Sequence, residues 1–385
     1  MYNFVTLNLG AHLSHLTLIL LAAGSSSRFG TGVKKQWLRV GELPLWQYVA
    51  DKFESTGYFD KIIVTSSADE IKFMKYCTDY TIIEGAQTRQ GSLKNALAHV
   101  DTEYVLVSDV ARACVSEAFL HTILSYIGKS DCIVPYLPIS DTVVYGTTTI
   151  NRELVKRVQT PQLSRTSALH KALSQEEEFT DESSAIVASG GTREFILGEE
   201  SAHKITHAQD LQKIPCLIPP SQDILSGVGF DVHAFDENAQ MYLGGVKIDV
   251  PYGFLAHSDG DVAIHALIDA LLGAAGMGDI GILFPDTDVA YKGINSKELL
   301  SIVVNKLRRF GYIIVNVDIT IAAQQPKLGD YKMAMRKTLA PLLNIHSQKV
   351  NIKATTTEKL GFIGRSEGVG VIANANLKYF DWTKI

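Results

Sequence analysis

A glycine- and serine-rich stretch near the start of the sequence is followed by two cations, and this combination suits phosphate chemistry. The stretch is AAGSSS at residues 22–27, and Arg28 and Lys35 come soon after it. Small residues let a ligand approach backbone N–H groups, and cations neutralise the charge that grows during phosphoryl or nucleotidyl transfer. Asp109, at the end of an apolar run, is placed to hold magnesium. Taken singly, each residue is more often a solvated cation or a helix-capping aspartate, so the combination carries the prediction.

A second group of residues has the composition of a catalytic zinc site. Asp231 and His233 lie two apart in FDVHAF, so on a strand both side chains point to one face. His265, in the apolar stretch that follows, could supply a third ligand and leave a fourth position open. Asp261 and Asp269, four residues to either side of His265, could orient its imidazole. The alternative is a core histidine bonded to a backbone carbonyl, which is the commoner situation.

The elements around the first group alternate between β-rich and helical patterns. Runs at residues 16–22, 61–67 and 103–109 resemble buried strands, and helical patterns stand between them. This alternation predicts an α/β domain with a mostly parallel sheet covered by helices. Ligands of such sheets bind at the carboxyl ends of the strands, where the loops at residues 22–36 and 108–113 should lie.

A break in periodicity near Pro215 predicts two domains. Three prolines interrupt residues 213–223, and the apolar pattern that follows begins with a strand and a dense apolar helix at residues 261–276. We expect a first domain at residues 1–212, a linker at 213–225 and a second domain at 226–385. The length of 385 residues suits two or three domains.

Composition and charge exclude several classes of protein. The net charge is −5, so a nucleic-acid partner is not expected. No apolar run is long enough to span a membrane, and residues 1–15 hold no Lys or Arg, so residues 16–23 are interpreted as a strand and not a signal peptide. The four cysteines form no C-x-x-C, which favours a reduced cytoplasmic protein without disulfides.

The first part of the chain resembles the 2-C-methyl-D-erythritol 4-phosphate cytidylyltransferases. The resemblance rests on AAGSSSR, KKQ, EGAQTRQGS, DVAR, SDT, TPQ, TDE and KIT, in this order between residues 22 and 206. It implies a Rossmann-like nucleotidyltransferase fold. The implied reaction joins CTP to methylerythritol phosphate and releases pyrophosphate, with magnesium or manganese.

The resemblance assigns roles to matching positions. Arg28 and Lys35 would stabilise charge at the α-phosphorus, and Asp109 would bind the metal. Arg152 and Lys204 would align the attacking oxygen. Cofactor- and substrate-binding positions would be Ala22, Ala23, Gly24, Ser25, Ser26 and Ser27 for the triphosphate, Ala86, Gln87 and Ser92 for cytosine, and Arg112 and Thr142 for methylerythritol phosphate.

Three residues depart from the family pattern. Ser26 stands where the family usually has Gly, and Lys34 and Ala113 stand where it usually has Pro. These changes bear on triphosphate geometry and CTP affinity and leave the reaction type intact. Lys34 also offers a second candidate for the catalytic lysine, and Lys35 is preferred because it directly precedes Gln36.

From Ser226 to the C-terminus the chain resembles the 2-C-methyl-D-erythritol 2,4-cyclodiphosphate synthases. The most specific blocks are LAHSDGD and KATTTEKLGF. The family implies an α+β fold with helices on one face of a sheet, and a trimer with pockets between subunits. In its reaction a 2-phosphate attacks the β-phosphorus of the substrate's own cytidine diphosphate and expels CMP.

This second resemblance assigns zinc to Asp231, His233 and His265. His257 and Thr356 would stabilise the transition state, and Glu358 would carry a second divalent ion. The remaining binding positions are Ser258, Asp279, Gly281, Phe284, Asp286, Asp288, Ala323, Lys327, Leu328, Thr355, Phe362 and Arg365.

Together the resemblances predict a bifunctional cytoplasmic enzyme of the non-mevalonate isoprenoid pathway, a nucleotidyltransferase and a phosphorus–oxygen lyase on one chain. A kinase acts between the two steps, and the sequence holds no Walker-type motif for it. A trimeric second domain and a paired first domain would combine into a hexamer or larger homo-oligomer. Two alternatives stay open: another nucleotide or sugar phosphate in the first site, or one half serving only as a scaffold.

Overall fold

The computed structural model describes residues 16–256, 258–285 and 293–385. The chain divides into two compact units. One ends at Pro219 and also includes Asp381–Ile385, and the other spans Pro220–Phe380. No helix within the described ranges is long and apolar enough to cross a membrane.

The first unit is built on a sheet whose central strands are almost wholly buried. The strands of this unit are β1 (Leu16–Leu21), β2 (Arg39–Val40), β3 (Leu43–Pro44), β4 (Lys61–Ser66), β5 (Thr81–Glu84), β6 (Tyr104–Asp109), β7 (Cys132–Pro138), β8 (Val143–Tyr145), β9 (Thr148–Ile150), β10 (Lys156–Val158), β11 (Gln162–Arg165) and β12 (Arg193–Leu197). Strands β2 and β3, and strands β8 and β9, form separate two-stranded sheets. The helices of this unit are α1 (Leu45–Glu54), α2 (Ile71–Tyr76), α3 (Arg89–Leu97), α4 (Glu117–Leu124), α5 (Thr166–Leu173) and α6 (Glu182–Ala188).

The order of strands in the main sheet is β10-β7-β11-β6-β1-β4-β5, with β12 paired to β7. Strands β1, β4, β5 and β6 run parallel, β12 is parallel to β7, and β10 and β11 are antiparallel to their neighbours. The predicted mostly parallel α/β sheet is therefore confirmed. Because β1 and β6 are adjacent and Leu21 is paired with Asp109, the loop after β1 begins directly beside that carboxylate.

The prediction of a protein without disulfides is wrong for one pair of cysteines. Cys114, shortly after β6, forms a disulfide with Cys216, which lies 102 residues further along the chain. Cys132 is buried and Cys77 is exposed as free thiols. A pairing over this separation leaves no spacing motif, because it depends on how the chain returns to β6 near the end of the unit.

The second unit is an antiparallel sheet with one parallel edge pair. Its strands are β13 (Leu225–Asp236), β14 (Tyr242–Leu243), β15 (Val246–Lys247), β16 (Gly253–Phe254), β17 (Tyr312–Ala322), β18 (Val350–Thr355) and β19 (Gly368–Tyr379). Its helices are α7 (Val262–Ala274), α8 (Ile280–Leu283), α9 (Ser296–Arg309), α10 (Lys332–Leu342) and α11 (Gly361–Gly364). The main sheet has the order β16-β13-β19-β17-β18, and only β17 and β18 are parallel.

Helix α7 packs directly on β13 and β19, so the predicted sheet with helices on one face is confirmed. The close approach depends on two glycines of β13. A Cβ at Gly227 would collide with the backbone of Ala270 and Ala274, and one at Gly229 would collide with the backbone of Ala266 and Ala270. These glycines let α7, which carries His265 near its N-terminal end, lie close over the strand that carries Asp231 and His233.

Candidate functional site

The loop after β1 is held by hydrogen bonds that leave part of its backbone open. Gln36 Nε2 donates to Gly24 O at 3.1 Å, and Lys35 N donates to Ser26 Oγ at 3.0 Å. Gly24 is exposed, and nothing lies within 4 Å of where its Cβ would be. Ser26 has φ 59°, the left-handed conformation that favours glycine, and its hydroxyl is used in fixing the loop. The loop therefore has the open backbone expected of a phosphate cradle.

The structure separates the two candidate lysines. Lys34 is 6% exposed and forms an ion pair with Glu70. Lys35 Nζ instead donates to Ile205 O at 2.9 Å. Burial lowers the pKa of Lys35, and the positive charges of Lys204 and Arg28 lower that pKa further. Lys35 thus belongs to a cation cluster with Arg28 and Lys204, which supports the interpretation of Lys35 as the reactive lysine.

Asp109 lies at the centre of this cluster. Lys204 Nζ is 2.6 Å from Asp109 Oδ2, and Arg89 Nε is 3.2 Å from Oδ1. Burial opposes ionisation, but Arg89, Lys204 and Arg112 together hold the pKa of Asp109 well below its usual range. The carboxylate is therefore ionised at neutral pH, as a ligand of a divalent cation must be.

Two members of this cluster were missed by the sequence analysis. Arg89 also pairs with Glu182 at 2.7 Å, whose carboxylate is fully buried and whose pKa is raised by burial. Both residues stand in the motifs EGAQTRQGS and TDE. No spacing signal shows that they meet, because they are 93 residues apart and come together only through the fold.

A cavity of about 380 Å³ opens beside Lys204 and Arg112, and Arg157, His203 and His207 also line it. Two further predicted substrate positions, Thr142 and Arg152, do not line this cavity. They are exposed residues next to the β8–β9 hairpin, and Arg152 Nη1 donates locally to Ser140 O at 2.5 Å. Of the predicted methylerythritol phosphate site, this cavity therefore contains Arg112 and Lys204 but not Thr142 and Arg152.

The positions predicted to face cytosine lie after β5, next to the loop that follows β1. Ala86 and Gln87 are exposed, whereas Ser92 is 5% exposed. Ser92 Oγ accepts the Ala86 N–H at 2.9 Å and donates to Thr88 O at 2.9 Å. Ser92 therefore shapes the loop that carries Ala86, with its own hydroxyl occupied by the backbone.

In the second unit the three predicted zinc ligands converge. Asp231 Oδ2 lies 3.2 Å from His233 Nε2 and 3.4 Å from His265 Nδ1, and one ligand atom from each residue lies within 4.8 Å of the others. Burial opposes ionisation of Asp231, but both imidazoles hold its pKa well below the usual range. Two nitrogens and one carboxylate oxygen at this separation fit a zinc ion with a fourth position open.

The imidazole rings are oriented by a backbone carbonyl and two serine hydroxyls, of which only Ser258 was among the predicted site residues. His233 Nδ1 lies 2.9 Å from Gly260 O, and His265 Nε2 lies 3.0 Å from Ser296 Oγ and 3.3 Å from Ser258 Oγ. Ser296 Oγ in turn donates to Asp259 Oδ1. The far nitrogens of both rings are thereby fixed, and the near ones point to Asp231.

The predicted role of Asp261 or Asp269 in orienting His265 is wrong. Asp261 accepts N–H groups of Gly244 at 2.8 Å and Gly245 at 2.6 Å, and Asp269 accepts the Ile280 N–H at 2.8 Å. Helical spacing placed both carboxylates on the face of His265, but loop backbones compete for them. Ser296, 31 residues away, could not be found from spacing.

A cavity of about 360 Å³ surrounds the triad, and the predicted residues Ser258, Gly281 and Phe284 also line it. Asp279 lies at its edge as the N-cap of α8, where it accepts the Ile282 N–H at 3.0 Å. The predictions for His257, Asp286 and Asp288 concern positions outside the described residues.

The remaining predicted positions cluster at the ends of β17 and β18 and beyond. Ala323 N donates to Thr355 O at 2.9 Å, and Thr356 Oγ1 donates to Glu358 Oε1 at 2.8 Å. The other members of the group are Lys327, which is exposed, Leu328, which is buried, Phe362, which is 41% exposed, and Arg365, which pairs with Glu367. These residues do not line the cavity around the triad.

Comparisons with known proteins cover both units. The sequence model of 2-C-methyl-D-erythritol 4-phosphate cytidylyltransferase matches residues 16–218, and the model of the YgbB family matches residues 224–378. The bifunctional enzyme IspD/IspF of Sulfurimonas denitrificans is 74% identical over 386 residues, with 100% of both chains covered.

Campylobacter jejuni supplies both a curated relative and a solved structure. Its bifunctional enzyme IspD/IspF is 50% identical over 374 residues, covering 97% of this chain and 100% of that one. The structure of the bifunctional IspDF from the same organism is 51% identical, covers 96% of this chain and 100% of that chain, and aligns with a TM-score of 0.88.

Proposed function

The chain belongs to the family of bifunctional IspD/IspF enzymes, and from this premise we propose how its two units divide the chemistry. It is a bifunctional enzyme of isoprenoid-precursor biosynthesis, with a cytidylyltransferase and a cyclodiphosphate synthase on one chain. The observation that carries the assignment of residues is that each unit holds its own cluster: Asp109 with its cations, and the Asp231 triad.

In the first reaction we assign triphosphate binding to the loop after β1 and charge stabilisation to Lys35 and Arg28. Their positive charges would offset the charge that grows on the α-phosphate as the phosphate oxygen of methylerythritol phosphate attacks it and pyrophosphate leaves. Lys204 and Arg112 line the adjacent cavity and would hold the incoming phosphate. Thr142 and Arg152 complete the substrate-binding set.

Asp109 fits a magnesium or manganese ion, because it is ionised and lies beside the triphosphate loop. Magnesium sites commonly use one or two carboxylates together with substrate phosphates. The ion would neutralise the triphosphate when bound. Lys204, which lies on Asp109 in this structure, would then be available to the substrate phosphate.

In the second reaction Asp231, His233 and His265 would hold zinc. A bound zinc ion would act as a Lewis acid and stabilise negative charge on the phosphoryl oxygens. The 2-phosphate oxygen attacks the β-phosphorus while the bond to CMP breaks. His257 and Thr356 would stabilise this transition state, and Glu358 would carry a second divalent ion. The substrate would contact Ser258, Asp279, Gly281, Phe284, Asp286 and Asp288 on one side and Ala323, Lys327, Leu328, Thr355, Phe362 and Arg365 on the other.

The cyclase site needs a second copy of the chain. Asp231 is paired with Val371, Val371 with Ile321, and Ile321 with Ala354, so the triad and β18 lie three strand spacings apart, ~14 Å. Thr356 follows β18 and is thus remote from the triad of its own chain. A neighbouring copy of the chain could place its own Thr356 beside this triad and so complete the site.

One face of the second unit supports such an assembly. Val228, Phe230 and Val232 alternate along β13 and are 65%, 62% and 42% exposed, and Ile372 of β19 is 51% exposed. An apolar face of this kind is typical of an interface. We propose a trimeric cyclase core, a hexamer or larger particle when the first units pair, and a cytoplasmic location, where CTP is available. We also place the functional domains at residues 1–212 and 226–385, with residues 213–225 as the linker.

The experiment supplies the purified chain with CTP, UTP or ATP and methylerythritol phosphate, and measures pyrophosphate. A separate reaction supplies the phosphorylated cytidine diphosphate intermediate and measures CMP. We expect pyrophosphate with CTP in preference to the other nucleotides, and CMP in the second reaction. A preference for another nucleotide would overturn the first assignment, and an inactive half would indicate a scaffold.

A further inference from the structure

A fully buried carboxylate lies directly behind the triphosphate loop. Glu70, just before α2, has an exposed fraction of 0%. Its carboxylate contacts Lys34 Nζ through one oxygen and accepts from Gln36 Nε2 at 3.1 Å through the other. Lys34 Nζ also donates to Ser67 Oγ at 3.2 Å and lies 3.9 Å from the partly exposed carboxylate of Asp69, so Glu70 is the nearer and the buried one of its two acidic partners. One carboxylate thus holds both neighbours of Lys35 in the chain.

The contacts continue from Gln36 into the loop itself. The Gln36 amide nitrogen donates to Gly24 O at 3.1 Å, and its amide oxygen accepts from Ser26 Oγ at 3.2 Å. Ser26 Oγ accepts the Lys35 N–H at 3.0 Å. A closed set of contacts therefore connects Glu70, the loop backbone and the backbone of Lys35.

Stability alone does not account for this arrangement. A buried ion pair pays a large desolvation cost, and apolar side chains of similar volume often stabilise a fold equally well. What a charged, hydrogen-bonded network provides is a single geometry for the groups that it contacts. Here those groups are the loop and the chain segment that carries Lys35.

We propose that Glu70 is a positioning residue for cytidylyl transfer. Through Lys34 it draws one lysine of the adjacent pair into the protein interior, and through Gln36 it fixes the loop, so that Lys35 alone is presented to the nucleotide. This proposal rests on the proposed role of Lys35 and adds to it Glu70, which is buried and acts through its ion pair with Lys34 and its hydrogen bond from Gln36.

The test compares Glu70→Gln with the parent in the full chain. Glutamine keeps an oxygen for Gln36 but loses the charge that holds Lys34. We expect kcat for pyrophosphate release to fall by about 10- to 100-fold, because misplacement of a reacting group by about 1 Å costs this much. The KM for CTP should rise several-fold, and the KM for methylerythritol phosphate should stay within twofold.

A second variant separates positioning from folding. In Lys34→Met/Glu70→Gln no unpaired ammonium remains, and the introduced glutamine still reaches Gln36, so we expect KM for CTP to return toward the parent value. A purely structural role for Glu70 would lower apparent kcat through loss of folded protein and leave KM for CTP unchanged. That result in the single variant, or wild-type kcat and KM, overturns the proposal.

A control for the general effect of losing an ion pair is Arg165→Met/Glu103→Gln, which removes a partly exposed ion pair of 2.9 Å at the opposite end of β6. We expect it to leave KM for CTP unchanged, and a rise equal to that of Glu70→Gln would overturn the proposal as well. CMP release by the second unit measures the amount of active second unit in every sample, and pyrophosphate release is compared at equal CMP release. If the parent chain itself releases no pyrophosphate with CTP, the proposed function fails, whereas an active parent whose kinetics are unchanged by Glu70→Gln contradicts only the role of Glu70.

Discussion

At the scale of single residues, the chemistry of both sites depends on neighbours that fix charge and orientation. Burial and the nearby cations Lys204 and Arg28 lower the pKa of Lys35, and Arg89, Lys204 and Arg112 keep Asp109 ionised. In the second unit His233 and His265 each have one ring nitrogen held by a backbone carbonyl or a hydroxyl. Charge and direction are therefore set before substrate binds.

The lowered pKa of Lys35 predicts a pH dependence. Its protonated form stabilises phosphate charge, so kcat/KM for CTP should fall as pH rises through a value below 10.5, the ordinary value for lysine. In Lys35→Arg the cation persists to higher pH, and this alkaline fall should move upward or disappear. A pH profile of pyrophosphate release measures it. An alkaline fall that is unchanged in Lys35→Arg would show that another group titrates.

Ser296 predicts an effect on metal affinity. Its hydroxyl lies between His265 Nε2 and Asp259, so Ser296→Ala should loosen the imidazole and weaken zinc binding by roughly 10- to 100-fold. Competition with a chelating dye measures the affinity without substrate. Ser301→Ala, whose hydroxyl donates to Lys297 O within α9, is the control and should bind zinc as the parent does. Equal affinity in Ser296→Ala would exclude the orienting role.

Residues that local periodicity brings together could be predicted from the sequence. Asp231 and His233 share a strand face because strand side chains alternate, and in the structure their ligand atoms converge with that of His265. Arg89, Glu182, Ser296 and Glu70 were missed because each meets its partner through tertiary contact, over sequence separations that carry no period.

At the scale of elements, strands with continuous apolar runs were predictable and short pairings were not. Strands β1, β4 and β6 lie where buried runs predicted them. The β8–β9 hairpin is mostly exposed, so no apolar pattern marked it. The antiparallel insertion of β11 between β6 and β7 was also beyond prediction, since its partners are set by the path of the chain.

The packing of α7 on β13 predicts a sharp difference between two glycines. In Gly229→Ala the new methyl group meets the backbone of Ala266 and Ala270, so the free energy of unfolding of the second unit should fall by ~1–3 kcal/mol or more. Gly273→Ala, in α7 with nothing within 4 Å of its Cβ, should raise that free energy by ~0.5–1 kcal/mol.

Denaturant unfolding of the two variants, followed by zinc titration, measures this difference. We expect weaker zinc binding in Gly229→Ala alone, because the helix that carries His265 must move away from Asp231. Equal stability in the two variants would contradict the packing account.

At the scale of the whole molecule, the exposed apolar sheet face and the distance between the triad and β18 both support the proposed trimer. Phe230 is 62% exposed on the face shared with Val228 and Val232. In Phe230→Asp the proposed interface would bury three unpaired charges around one axis, so the particle should dissociate into smaller species.

Light scattering gives the mass of parent and Phe230→Asp, and CMP release gives cyclase activity. We expect the parent mass to be a multiple of three chains, and the variant to lose both this mass and cyclase activity. Arg308→Glu, an exposed position in the last turn of α9 on the helix-covered side of the sheet, serves as a charge control with unchanged mass. A monomeric parent with full cyclase activity would contradict the shared pocket.

The most direct test of two chemistries on one chain measures both activities in one variant of each site. Arg28→Ala should reduce pyrophosphate release from CTP and methylerythritol phosphate by at least about 100-fold and leave CMP release by the cyclase unchanged. Asp231→Ala should do the reverse, because it removes a proposed zinc ligand from the second unit alone. If either variant lowers both activities equally, or leaves its own activity unchanged, the division of chemistry between the two units is wrong.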